Sequence, residues 1–130
     1  MSSVNSKFSI LQATPNIQSL VDKAASFNMP AIALTDHGNM FGAYKFLDAI
    51  ARHPVNSNLD NGDQLKLKGI LGCELNICKD HLEKSEAGKH YSQVPFLCKN
   101  KEGYHNLSKL SSIGFLAGNY YVPRVDKQLI

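Results

Sequence analysis

Apolar residues recur along the chain in two alternating modes. Ile17, Leu20, Val21, Ala24 and Ala25 fall three or four apart, the spacing that gathers side chains on one face of a helix. Thr14 followed by Pro15 has the form of an N-cap and a first helical residue, since proline's fixed φ suits a helix start and its missing N–H costs nothing there. A helix from about Pro15 to Phe27 is predicted. Asn28 can close it in a left-handed conformation, and Met29-Pro30 prevents continuation. Ala31 to Thr35 is then a short apolar run with the length of a buried strand.

The same order of helix, turn and strand follows again. Ala43, Leu47, Ile50 and Ala51 mark a second helix, and Lys68 to Ile77 (KGILGCELNI) reads as a second strand. Between them, Pro54 to Gln64 is rich in Asn, Asp, Ser and Gly and has the composition of an exposed loop. A second polar stretch, Lys79 to Ser92, leads to the apolar run Val94 to Cys98. Asn100, with Glu102 in the first turn, can cap a third helix carrying Tyr104, Leu107, Leu110 and Ile113. Gly114 is the expected stop. The chain shows no internal repeat and no low-complexity tract.

Strands that alternate with helices imply a parallel sheet, and right-handed crossovers leave two α/β choices, a doubly wound sheet or a β/α barrel. Three helices and three strands are about half of a barrel, which needs roughly 250 residues when complete. The barrel reading therefore makes these 130 residues the amino-terminal portion of a larger domain, and the ending YYVPRVDKQLI carries no terminating signal. A barrel cut in this way exposes sheet edges and apolar helix faces. Self-association of the isolated piece, or a compact alternative closure, is expected.

Composition narrows the function classes. With 43% hydrophobic residues the chain can bury one modest core. Fourteen Lys and Arg against eleven Asp and Glu leave a net charge of +3, too small and too scattered for an electrostatic footprint on nucleic acid. No apolar stretch approaches the roughly 20 residues that span a bilayer, and the start MSSVNSKFSI has no secretory apolar region. A soluble cytoplasmic protein with no membrane partner is the expectation. Cys73, Cys78 and Cys98 are odd in number and lack CxxC spacing, so reduced, mostly buried thiols are expected.

Two places could carry chemistry. Asp36, His37 and Gly38 directly follow the first predicted strand, and in parallel α/β folds sites are built at the carboxyl ends of strands. An imidazole beside a carboxylate there can be a metal ligand or a general base; equally, Asp36 can cap the next helix with His37 half exposed. Glu74 sits in an apolar strand, where an unpaired buried carboxylate would be costly; alternation also allows it to point outward. His53, His81, His90 and His105 are expected to be solvated, and His81 and His90, although near Cys78, match no zinc spacing.

TDHGNMFGA, GILGCELNI, LCKNKEGYHNLSKLSS and YYVPRVDKQLI closely resemble, in this order, successive segments of the polymerase and histidinol phosphatase (PHP) domain at the start of bacterial DNA polymerase III alpha subunits. Together they span most of residues 8 to 130. NKEGYHNLSKL and YYVPR are characteristic of the polymerase branch. The resemblance implies a distorted β/α barrel whose active members hold up to three metal ions, on His, Asp and Glu, for phosphoester hydrolysis. It places His37 and Glu74 at ligand positions. The opening motif, normally two histidines one residue apart and then an acidic residue, falls here on Ser3, Asn5 and Gln12, and the histidine before LCKN falls on Gln93. No histidine precedes His37, so no shift of register restores the motif, and further ligands would lie beyond Ile130.

Neutral Ser, Asn and Gln are weak ligands that add no charge, whereas hydrolysis needs held ions that lower the pKa of a bound water. The resemblance therefore implies a vestigial site at His37 and Glu74, with Asp36 beside it, no catalytic residue and no cofactor in this piece. The parent would be a DNA-directed DNA polymerase using Mg2+ in a separate palm domain and meeting DNA there. Its partners would be other replicase subunits, foremost the separate proofreading exonuclease, with loops 54 to 66 and 79 to 92 as contact candidates. The competing reading is a metal-dependent phosphoesterase or 3'-5' proofreading exonuclease of the same family, holding Zn2+ or Mn2+. An error-prone relative of the replicative subunit fits the same residues.

Overall fold

A computed structural model of the chain describes the backbone of residues 2–4 and, in full, residues 16–57, 59–60 and 62–130. Among the described residues there are five strands, β1 (Ser2–Val4), β2 (Ala31–His37), β3 (Lys68–Cys78), β4 (Ser92–Leu97) and β5 (Val125–Asp126), and three α-helices, α1 (Ile17–Ser26), α2 (Ala43–Arg52) and α3 (Lys101–Leu116). The sheet runs β1-β2-β3-β4, with β5 paired to β3. The β1–β2, β2–β3 and β3–β5 pairs are parallel. The expected α/β class holds, as an open sheet consistent with part of a β/α barrel.

The first helix begins at Asn16, whose side chain accepts from the Ser19 N–H at 2.8 Å; the expected start at Thr14 and Pro15 lies outside the described residues. Asn28 closes the helix at φ +52°, as its short polar side chain allows. Strand β2 runs two residues beyond its apolar stretch, through Asp36 to His37, because Glu74 and its neighbours supply a partner for each added residue. In α2 the buried residues are Ala43, Phe46 and Ile50; Leu47 and Ala51 point outward. Ala43, Phe46 and Ile50 fall within about 60° of one another on the helical wheel, with Ile50 between the other two, so Phe46 shares the core face.

Three other expectations need correction. The stretch from Pro54 opens with a 3-10 turn, Pro54–Asn56, and Asn56 is buried rather than exposed. Its Nδ2 donates to the carbonyls of Ile50 and Leu67, while its Oδ1 accepts from the Leu67 N–H, so one amide fastens both ends of the loop. Strand β4 is antiparallel to β3, since only the 3-10 turn Glu86–Lys89 intervenes where a parallel return needs a crossover. It carries Pro95, as suits a strand at the end of the path. Helix α3, capped by Asn100 on the Gly103 N–H as expected, passes through Gly114 to Leu116. At Gly114 α3 lies against Arg124 and Val125, where an added Cβ would meet both residues.

Pleating divides the sheet into two faces. On the helix side, Ile32 and Leu34 of β2 and Leu71 of β3 pack with Val21, Phe46 and Ile50 of the helices. Further along the same side, Cys73, Leu75 and Ile77 meet Leu107 and Leu110 of α3. The other face collects Ala33, Thr35 and His37 from β2 and Gly72, Glu74 and Asn76 from β3, by the register Ala33 to Ile70, Thr35 to Gly72 and His37 to Glu74.

Phe46→Ala, at a side chain with 0% exposure, should cost about 3–5 kcal/mol. Leu47→Ala should cost far less, and the urea midpoints of the two variants measure the difference.

Candidate functional site

Strand β3 is longer than its partners, and the site forms where those partners change. Glu74 pairs with His37 on one side and Pro95 on the other, while Ile77 pairs with Ser92 and Val125. Since β4 holds one side of β3 from Gly72 to Ile77, β5 must occupy the side that β2 has left. The last bond to the β2 segment is the Gly38 N–H to Glu74 O, 2.8 Å, and β5 begins at Ile77. The split opposite Leu75 and Asn76 is the carboxyl end of β2, where parallel α/β folds place ligands.

His37 and Glu74 face each other across this point, Nδ1 to Oε2 at 3.7 Å, with side chains 18% and 25% exposed. The alternatives left open by the sequence are thereby decided: Glu74 shares a face with His37, and His37 is three-quarters buried or more. Asp36 does not cap the next helix. The strand continues through it, so it is turned to the helix side opposite Cys73 and is 1% exposed, while α2 has Gly42 at its N-cap with no side-chain bond. Ser3 pairs with Ala33, four residues before His37. Gln93 pairs with Asn76 and is exposed. Asn5 and Gln12 lie outside the described residues.

Asn76 is the residue that spans the split. It is 3% exposed, its Nδ2 donates to Pro123 O at 2.9 Å, and the same nitrogen lies 3.5 Å from His37 Nε2. A void of about 10 Å³ adjoins it, bounded by Ser111, Gly114 and Pro123 among others. A cavity of about 490 Å³ opens beside His37 and Pro123 and is rimmed by Phe41, Phe115 and Leu116, all three strongly exposed.

Pro123 is held in place by its neighbour. Arg124 is 1% exposed, and its guanidinium donates to main-chain carbonyls: Nε to Gly118 at 2.9 Å, Nη1 to Gly88, and Nη2 to His81 at 3.1 Å and Glu83 at 2.9 Å. Gly88 and Gly118 make this possible, because a Cβ at either would collide with a carbonyl oxygen, of Glu83 or of Arg124. Two residues on, Asp126 accepts from the His81 N–H and Nδ1 on one oxygen and from the Gln128 and Leu129 N–H groups on the other. Burial raises the Asp126 carboxyl, but these hydrogen bonds and the charge of the His81 imidazole outweigh it and hold the group below the ordinary carboxylate value.

Asp80, His81 and Asp126 bring ligand atoms within 4.8 Å of one another, a spacing that could receive a cation. In this structure Asp80 caps the Leu82 N–H and both Asp126 oxygens are already engaged. The cluster acts as an anchor for the 79–91 loop. His81 is thus no solvated side chain, and neither is His53, which reaches Asp22 at 3.1 Å and accepts from the Val55 N–H; their acidic partners lie 45 and 31 residues away. His90 and His105 are exposed. The three cysteines are free, and burial pushes the Cys73 thiol up to about 12, so it is no nucleophile.

This geometry belongs to a known class. The PHP domain family matches residues 3–130, and the chain belongs to that family. The DNA polymerase III subunit alpha of Chlamydia trachomatis is 39% identical over 132 residues, which cover 97% of this chain and 10% of that relative. The subunit of the same name from Treponema pallidum is 38% identical over 130 residues, 98% of this chain and 10% of the relative. Helicobacter pylori supplies another at 32% over 127 residues. The chain spans about a tenth of the length of the curated relatives it matches. Among the described residues no helix is long and apolar enough to cross a membrane.

Asn76, Arg124 and Asp126 were not singled out from the sequence. Parity on β3 puts Asn76 on the Glu74 face, two residues on, and that signal was available. Nothing local marks Arg124 or Asp126 as anchors, because their bonds to the 79–91 loop reach 36 to 45 residues back along the chain.

Two measurements check the anchor. Arg124→Ala should destabilise the protein by about 3 kcal/mol or more, because several buried carbonyls lose their donor together, seen as a lower denaturant midpoint. Because its folded-state pKa is depressed, ionised Asp126 contributes stability above the unfolded carboxyl value, and this is lost as pH falls below about 4. Asp126→Asn should be less stable at pH 7 and should converge on the wild type as pH falls through that window, in denaturation midpoints taken from pH 7 to pH 3.

Proposed function

We propose that this chain is the PHP part of a bacterial replicative DNA polymerase III alpha subunit, that its metal site is vestigial, and that it serves as scaffold and docking surface. Matches to proteins of that name over 97–98% of the chain at 38–39% identity carry the reading. DNA synthesis, its Mg2+ and contact with DNA then belong to other domains of the parent, acting in the cytoplasm.

The donor set argues against a working metal cage. His37 and Glu74 are one imidazole and one carboxylate, and their neighbours on that face are the amide of Asn76 and the register position of Gln93. Residues 1–15 contain no His, Asp, Glu or Cys, so that segment adds no strong ligand. Two ligands do not hold ions that activate water. His37 Nε2 is also turned to an amide nitrogen, which is a poor arrangement for a ligand atom.

A docking role is supported by the exposed Phe41, Phe115 and Leu116 around the 490 Å³ cavity, since contiguous exposed apolar surface marks interaction sites. The clamped 79–91 loop offers an ordered platform nearby. The proofreading exonuclease subunit is the leading occupant, with other replicase subunits next.

Metal content of the purified parent protein, by elemental analysis, with phosphoesterase activity in added Mn2+ or Zn2+, tests the reading. Less than one tightly bound ion per PHP domain and no activity are expected. Near-stoichiometric metal with hydrolysis would overturn the vestigial site and favour the phosphoesterase or exonuclease alternative.

A further inference from the structure

We propose that Asn76 is a positioning residue that sets the tautomer of His37, so that the imidazole proton sits on Nδ1, toward Glu74, and Nε2 is occupied as a hydrogen-bond acceptor. The inference deepens the reading of a metal-free site and rests on it.

The argument runs from an atom that cannot change its role. Pro123 O is a carbonyl and only accepts. At 2.9 Å from the Asn76 side chain, it selects the amide nitrogen rather than the amide oxygen, because the flipped amide would set two oxygen lone pairs against each other. Nδ2 carries two hydrogens. One serves Pro123 O, and the other is directed at His37 Nε2, 3.5 Å away, the outer limit of such a bond. A nitrogen that faces a donor must present its lone pair, so in the neutral ring the proton goes to Nδ1. Nδ1 lies 3.7 Å from Glu74 Oε2, where a proton is electrostatically favoured. The two ends of the ring therefore agree.

The amide cannot easily swing away. Asn76 is 3% exposed, and its Oδ1 has no partner among the described residues, so its orientation follows from Nδ2 alone. Pro123 is fixed in turn by Arg124, whose guanidinium ties the segment to four carbonyls. The tautomer of a ring on β2 is thus set from the 118–126 segment through one side chain on β3.

The test is direct observation of the His37 ring nitrogens by 15N NMR on the histidine-labelled protein, at a pH where the imidazole is neutral. The signal is assigned by its absence in His37→Gln. The Nδ1–H form is expected, against the Nε2–H form that an unconstrained imidazole favours. In Asn76→Asp the carboxylate only accepts, and the proton should move to Nε2; in Asn76→Ala the Nε2–H form should become the majority. Elemental analysis of the same sample separates this inference from the proposed function. A metal-free wild-type protein with Nε2–H would overturn the role of Asn76 alone, whereas metal coordinated by His37 would overturn both. The wild-type spectrum decides the matter even where a variant fails to fold.

Discussion

A guanidinium withdrawn from water must find acceptors for its N–H groups, and Arg124 finds four in the main chain. A buried cation satisfied by neutral carbonyls is an expensive arrangement unless every bond is made. The structure around it follows from that demand. The 79–91 loop must bring up His81, Glu83 and Gly88, the turn after α3 must bring up Gly118, and glycine must stand at both of the tightest approaches. The loop has little regular structure of its own, so its shape is borrowed from one side chain. Asp126 then completes the closure from the same strand, by engaging both the backbone and the ring of His81.

The candidate site inherits its geometry from this closure. His37 and Glu74 would face each other wherever β2 and β3 pair in this register, but what surrounds them depends on the segment that returns as β5. That segment presents Pro123 O, Asn76 reads it, and His37 feels the result. Here the Asn76 amide lies between the Pro123 carbonyl and the His37 ring, with its Oδ1 left unpaired among the described residues.

Much of the fold was legible because it is written locally. Spacing of apolar residues found all three helices, Asn28 and Asn100 marked an end and a beginning, and the strand from Lys68 was located to within one residue. Errors arose where tertiary partners overrode local pattern. Phe46 was passed over for Leu47, since periodicity alone leaves the centre of the apolar face uncertain by one position. Asn56 reads as a loop residue and is a buried clasp. The reversal of β4 is invisible in its composition, because parallel and antiparallel strands need the same side chains at this length. Of the candidate site, strand ends and a family pattern point to His37 and Glu74, which the structure brings together, whereas Asp36 does not cap the next helix because a strand two residues longer than its apolar run carries it to the opposite face. His53 and His81 looked idle because their acidic partners are remote in sequence.

The long third strand has a consequence for the order in which the protein assembles. The Asn56 clasp closes only eleven residues, and α1 and α2 pack beside the strands they adjoin in sequence, so that half can consolidate early. Asn76 meets Pro123 across 47 residues and His81 meets Asp126 across 45. Long closures lose more chain entropy before any contact repays it. The segment that shapes the site is therefore the last to dock and the first to fray, and the region around His37 would loosen while the α1–α2 core is still intact.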